Sequence, residues 1–387
     1  MRAYVEFAGI RDLTGSQTLT TRFLITATGF LSQPRIPDIP GIDSFDGRVM
    51  RTAAWDDSYR FAGRRVGMIG TGASAVQLIP ELAKQVADLT VYQRTAIHTV
   101  PKIDFAIPAV MQRLFARLPL AQRVFRWMTD TFFELITVTA VYYRQFRRLS
   151  LSMDGGDLAM ISRFLSIRDA GLRRKLTPDY DFGCKRPTWS NHYYSAFTKP
   201  HVHLRTDRIE RVEPDGIVTA DGHKDVIDAL VLATGFDLWD ANFPAIEVIG
   251  RQGRNLGKWW RETRFQAYQG VSVPRFPNYL NLVSPYAFSG LSYFNTIEYQ
   301  MRHMDRLLSE VRRRGATTFE VTEEASARFL DRVTQLLGES VFRWGNCATS
   351  RSYYFNHSGE ATLLRPTTTR NAVREASTFP LRDYMIA

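Results

Sequence analysis

Between Arg64 and Thr95 the spacing of apolar residues changes twice, and the changes predict one complete unit. Val66, Met68 and Ile69 form a short buried-strand run. Val76, Ile79, Leu82 and Val86 then recur at helical intervals, and Asp88 to Gln93 returns to a strand pattern. This is a strand, a turn, a helix and a second strand in register. Pro80 falls inside the helix, where it lacks a backbone N–H and is expected to bend it.

The rest of the chain divides by the same reading. Tyr4 to Phe7 and Thr18 to Thr26 read as strands joined by the turn Asp12-Leu13-Thr14-Gly15. That hairpin has no core of its own and must pair with strands from elsewhere. Gln33 to Gly41 is a stiff, proline-rich connector. Ala106 to Ser150 is helical with a break at Pro119, its apolar stripe running through Met111, Leu114, Phe115 and Leu118, then Val124, Trp127, Met128, Phe132 and Leu135. Asp130 and Glu134 interrupt the most apolar part, which argues against a transmembrane span. Short strands are expected at Val202 to Val212, Ile217 to Ala220 and Val226 to Leu232. A further strand is expected at Tyr279 to Val283, and helices at Tyr293 to Arg314 and Glu323 to Leu337. The tetrapeptide Ala-Thr-Gly-Phe ends a strand twice, at Ala27 to Phe30 and Ala233 to Phe236.

The turn inside the first unit carries the chemistry. Gly70-Thr71-Gly72-Ala73-Ser74-Ala75 fits G-x-G-x-x-A: Gly70 permits the tight turn, Gly72 lets a pyrophosphate approach the backbone, and Ala75 lets helix and strand pack closely. The phosphates would rest on the helix N-terminus, where free N–H groups favour an anion, with Ala73 and Ser74 at the contact. An NAD site would carry an acidic residue after the second strand, but here Arg94 and Thr95 follow it. An arginine suits a ribose 2′-phosphate, so the expected nucleotide is NADP(H).

Composition narrows the class. The 387 residues suffice for two domains, and 44% hydrophobic and 12% aromatic content is ordinary for a globular protein. The formal charge is +11. From Gln112 to Lys175, twelve Arg or Lys face five Asp or Glu. No nucleic-acid module accompanies this excess, which leaves an anionic cofactor or a membrane surface. The helical insert is read either as a cap over a substrate cavity or as a basic amphipathic surface on a bilayer, with Arg123, Arg126, Arg144, Arg147 and Arg148 available. Cys184 and Cys347 are too few for a disulfide framework and lack metal-ligand spacing, which fits a reducing cytoplasm. The start lacks the apolar core of a signal peptide. His192, His201 and His203 have no acidic or cysteine companion that would complete a metal set, so no metal is expected.

With these residues in view, the chain resembles the flavin-dependent monooxygenases of the Baeyer–Villiger type. Their fingerprint F-x-G-x-x-x-H-x-x-x-W-[PD] is met by Phe45, Gly47, Trp55 and Asp56, with Arg51 in the place of the histidine. The Gly70 turn, Gln93-Arg94-Thr95, the paired Ala-Thr-Gly-Phe segments, Phe182-Gly183-Cys184-Lys185-Arg186 and Phe276-Pro277-Asn278 also match. The resemblance implies an α/β fold with two dinucleotide-binding, Rossmann-like domains. The FAD domain is discontinuous (1–33 and 222–387), and the NADPH domain (34–221) is inserted in it with a helical insert at about 105–178. The family's FAD-binding βαβ unit has no counterpart before Ala27, so an N-terminally truncated member with an incomplete FAD site is expected.

The resemblance also implies roles. NADPH and FAD are the cofactors, and O2 and a lipophilic carbonyl compound the substrates. Arg186 would stand beside the flavin and stabilise developing negative charge. Lys185 would hold the NADP phosphate together with Arg94 and Thr95. The loop Asp179 to Pro200 is expected where the two domains meet, with Trp189 and Tyr193 shaping the cavity, and Arg51 is expected to pair with Asp56 or Asp57. The alternative is a non-catalytic NADP(H)-binding remnant, perhaps membrane-associated. A disulfide reductase is disfavoured because no C-x-x-C occurs.

Overall fold

A computed structural model describes residues 5–12, 15–102, 104, 106–142, 155–241, 243–290 and 292–387. Its organising element is a five-stranded parallel sheet in the order Arg48–Arg51, Ala229–Leu232, Arg65–Ile69, Asp88–Tyr92, Val202–Arg205. Ala229–Leu232 is buried at every position, as a strand covered on both faces must be, which explains its continuous apolar run. One face carries the helix Ala73–Leu82, whose Val76, Ile79 and Leu82 pack on Val66, Leu89, Val91, Val202 and Val231. The other face is covered by an antiparallel meander, Ile209–Glu213, Gly216–Thr219 and Lys224–Val226, through Val212 and Ile217 against Ile69, Tyr92, Leu230 and Leu232. Pro80 lies buried within the helix, which continues through it to Leu82.

Three expectations about strands change. The apolar run Val226 to Leu232 does not join the strands of the first thirty residues. Its core, Ala229–Leu232, sits second in the nucleotide sheet, hydrogen-bonded on both sides. Position 222 falls between Gly216–Thr219 and Lys224–Val226, which pair with each other. Thr18 to Thr26 is two strands rather than one. Gly15–Thr21 forms a hairpin with Val5–Asp12, whereas Leu24–Thr26 leaves it to run parallel to Tyr279–Asn281. Val202 to Val212 is likewise split, its first half in the parallel sheet and its second in the meander. Tyr4, Leu13 and Thr14 lie outside the described residues.

The C-terminal half is aromatic. Trp239, Phe243, Trp260, Phe265, Phe276 and Phe288 form one core. A second core gathers the long helix Tyr293–Arg313, which buries Thr296, Tyr299, His303, Met304, Leu307 and Val311 on one face. Ser292, Thr322 and Thr368 cap the helices Tyr293–Arg313, Glu323–Leu337 and Thr369–Thr378, each side chain accepting a hydrogen bond from a first-turn N–H.

The helical insert contains Ala109–Arg117 and Pro119–Val141, broken at the proline as expected. It clasps the C-terminal half: Arg126 pairs with Glu298 at 2.8 Å, and Glu134 accepts the Thr369 N–H at 2.6 Å. Its outward side stays apolar, with Leu120 70% and Trp127 67% exposed. Arg144, Arg147 and Arg148 lie outside the described residues. Among the described residues no helix is long and apolar enough to cross a membrane.

Candidate functional site

The nucleotide turn is shaped by the strand beside it. Gly70 has φ of +109°, and a Cβ there would lie 2.4 Å from the Ala233 carbonyl oxygen at the end of the neighbouring strand, so only glycine fits. Gly72 is different. A Cβ built on it meets nothing within 4 Å, which leaves the backbone open to an incoming group. Gly72 is the helix N-cap without a side-chain cap, and the first intrahelical bond is Val76 N to Gly72 O at 3.0 Å. The N–H groups of Ala73, Ser74 and Ala75 precede that bond, the arrangement that receives a phosphate. Ala75 is fully buried, as close helix–strand packing requires.

Thr71 ties this turn to the end of the second strand, its hydroxyl donating to the Thr95 carbonyl at 2.8 Å. Arg94 is thereby held next to the turn, and its charged neighbours are cations. Partial burial, then Arg351 and Arg35, lower its pKa from the usual guanidinium value. Lys185 joins the same group: burial, then the Arg94 charge, push its ammonium down to about 8. A cluster of like charges costs free energy unless an anion joins it. Together with the open Gly72 turn, the cluster fits the pyrophosphate and 2′-phosphate of NADP(H).

Lys185 and Arg186 reach this position on a loop tied at both ends. Asp181 and Cys184 close a turn through Cys184 N to Asp181 O at 3.2 Å. Beyond Arg186, Thr188–Trp189 pairs in parallel with Thr99–Val100, and Asn191 receives the Lys102 N–H at 2.8 Å. The Arg186 guanidinium stacks 5.2 Å above the Phe288 ring and its side chain hydrogen-bonds Tyr353, so it faces the C-terminal half.

Other expected residues fall elsewhere. Tyr193 is 1% exposed and packs in the core of the nucleotide unit with Tyr194 and Phe197, so it does not line a cavity. Trp189 meets Phe133 of the helical insert edge-on at 5.6 Å. Asp56 pairs with Arg48 at 2.7 Å rather than with Arg51. His201 bonds the Ala83 carbonyl and His203 faces Asp88. The two cysteines, too few for a disulfide framework, are nonetheless joined as Cys184–Cys347 across 163 residues. Arg35, Arg351, Phe288 and Tyr353 were not anticipated at this site. Their types are common on any basic aromatic chain, and only the fold assembles them.

Leu24–Thr26 and Tyr279–Asn281 run side by side in parallel. Their C-terminal ends lead into Ala27-Thr28-Gly29 and Leu282-Val283-Ser284, coupled by Leu282 N to Thr26 O at 2.9 Å. Dinucleotides bind off the carboxyl ends of parallel strands. Ser284 Oγ is buried there without a hydrogen-bond partner, a group that a polar atom of FAD would satisfy.

This geometry can be compared with known proteins. Residues 13–125 match the pyridine nucleotide-disulphide oxidoreductase family. A Baeyer–Villiger monooxygenase of Streptomyces coelicolor is 34% identical over 371 residues, covering 95% of this chain and 70% of the relative. The chain belongs to the flavin-dependent Baeyer–Villiger monooxygenases. A Baeyer–Villiger monooxygenase of Pseudomonas aeruginosa is 34% identical over 349 residues, covering 90% of this chain and 64% of its own length. The crystal structure of the OTEMO complex with FAD and NADP superimposes with a TM-score of 0.79 at 27% identity, covering 96% of this chain and 76% of that one. The chain thus spans roughly two thirds to three quarters of the length of these Baeyer–Villiger proteins. The paired dinucleotide-binding α/β architecture read from the sequence is that of the family.

Proposed function

We propose that this chain supplies the NADPH-binding and oxygen-transfer residues of a cytoplasmic Baeyer–Villiger oxygenase. It would act on a lipophilic carbonyl compound with O2. FAD, when bound, supplies electron transfer from NADPH to O2 and delivery of one oxygen atom. The chain's own residues do the rest. The Gly70–Ala75 turn holds the pyrophosphate on the N–H groups of Ala73 and Ser74. Arg94, Thr95 and Lys185 receive the 2′-phosphate. Arg186 is fixed in direction between Phe288 and Tyr353, where it balances negative charge that develops on oxygen as the carbonyl is attacked.

The observation that carries this reading is the position of Lys185 and Arg186 on one loop. The first joins a group of cations beside the nucleotide turn, and the second points to the half that holds the paired strands Leu24–Thr26 and Tyr279–Asn281. The outward side of the helical insert adds a peripheral contact with anionic lipid. Leu120, Trp127 and Leu135 are exposed there, with Arg113, Arg117 and Arg123 exposed on the same insert. A lipophilic substrate partitioned in a membrane would then be met near its source.

The test is to supply purified chain with FAD, NADPH and a panel of ketones, and to follow ester or lactone by mass spectrometry. Arg186→Ala should retain NADPH binding and lose product. NADPH binding without oxygenated product in the unaltered chain would favour a non-catalytic nucleotide-binding role.

A further inference from the structure

The Cys184–Cys347 bond lies at the junction that the proposed chemistry depends on. Cys184 immediately precedes Lys185 and Arg186 and is 0% exposed, packed with Tyr180 and Val341. Cys347 is half-buried at the end of the segment Val341–Cys347, which comes from the C-terminal half. The two segments share three hydrogen bonds beside the disulfide. Asn346 donates its N–H to Asp181 Oδ2 at 3.0 Å and its side-chain amide to the Asp179 carbonyl at 2.8 Å. Asp181 N–H returns a bond to the Asn346 carbonyl at 3.3 Å. Gly345 makes the approach possible, since a Cβ there would meet Val341 O at 2.6 Å and Asp181 Oδ2 at 3.2 Å. Four residues beyond Cys347, Arg351 reaches the Arg94 group. The disulfide therefore stands next to Lys185 and at the root of the segment that carries Arg351, two cations whose charges reach Arg94.

We propose that Cys184–Cys347 is a thiol–disulfide exchange site, opened by dithiol reductants, that clamps the Lys185–Arg186 loop and sets the affinity for NADP(H). In a reducing compartment a disulfide at such a place is a redox-responsive one rather than a permanent staple. Cys347 is the more exposed of the two cysteines, so its Sγ is the one a reductant meets. A reductant thiolate attacks it, forming a mixed disulfide, and the Cys184–Cys347 bond breaks with Cys184 leaving as a thiolate that takes a proton. The second thiol of the reductant then displaces Cys347, giving two protein thiols and one oxidised reductant. The three hydrogen bonds between Asn346 and residues Asp179 and Asp181, and the packing of Val341 with Tyr180, then hold the segments together. The two bonds that Asn346 donates are solvent-exposed, and each contributes little alone. The inference rests on the assignment of Lys185 and Arg94 to the nucleotide.

The experiment uses the full chain in oxidised and dithiothreitol-reduced form. Alkylation with and without reduction, followed by mass spectrometry, reports the bond, and circular dichroism reports that both forms are folded. NADP+ titration should show binding roughly tenfold weaker after reduction, the loss of about one charge-assisted contact, restored on reoxidation. Cys347→Ala should bind like the reduced form and ignore dithiothreitol. Both cysteines alkylated without prior reduction would show that no bond forms and overturn the proposal. So would a disulfide whose reduction leaves NADP+ affinity unchanged, with the nucleotide assignment intact. Failure of NADP+ to bind either form would instead overturn the nucleotide assignment and this inference with it.

Discussion

Raising the pH above neutrality should weaken NADP+ binding through one residue, Lys185. Burial, then the Arg94 charge, place its ammonium at about 8 in the nucleotide-free protein. A bound 2′-phosphate, dianionic above its second pKa of roughly 6, favours the charged lysine and lifts that value again. Above pH 8 binding must then take up a proton, and affinity falls as pH rises. If the bound-state pKa stands well above the range tested, moving from pH 7 to pH 9 costs about tenfold in affinity, or ~1.4 kcal/mol. The direction for folding is the opposite. The unfolded lysine binds a proton up to its ordinary value near 10.5, so the folding penalty of this residue shrinks between about pH 8 and that value. The assay is calorimetric titration of NADP+ and NAD+ across this range, with Lys185→Met as the control. Lys185→Met should bind NADP+ more weakly at pH 7 and lose the slope. A flat profile in the unaltered protein, or the same slope in Lys185→Met, would refute the placement of Lys185 against the phosphate.

Three further outcomes follow from the site and its surroundings. Arg94→Ala should weaken NADPH by about 1.5–3 kcal/mol, the scale of a charge-assisted contact, and leave NADH nearly unchanged in the same calorimetry. Gly70→Ala should lower the melting temperature and abolish nucleotide binding together, because its Cβ collides with the Ala233 carbonyl at 2.4 Å and φ is +109°; the strain is on the order of 1–3 kcal/mol before any displacement of the strand. Leu120→Glu with Trp127→Glu should abolish co-sedimentation with vesicles containing anionic phosphatidylglycerol and leave NADP+ affinity unaltered, and retained vesicle binding would remove the lipid contact.

What the sequence determined by itself is the part whose signals are local. The strand, glycine turn, helix and second strand between Arg65 and Tyr92 are all present as read, because periodicity and turn chemistry act within a few residues of each other. The helices Tyr293–Arg313 and Glu323–Leu337 were legible for the same reason. So was the positive-φ turn at Gly70, since a glycine between a strand and a helix is a local signal.

The tertiary structure decided whatever depends on contacts across long separations. Ala229–Leu232 was visible as an apolar strand, but an apolar run carries no mark of its neighbours. Its place between Arg48–Arg51 and Arg65–Ile69 follows from burial on both faces, which only the assembled sheet provides. The break between Thr21 and Leu24 was hidden because both pieces keep strand character while pairing with different partners. Tyr193 carries the same aromatic signal whether it lines a cavity or fills a core, and packing with Tyr194 and Phe197 settled it. Arg35 and Arg351 stand far from Arg94 in sequence, and Cys347 lies 163 residues from Cys184. No spacing rule connects them, because chain reversal and docking of the two halves, rather than local periodicity, set those distances.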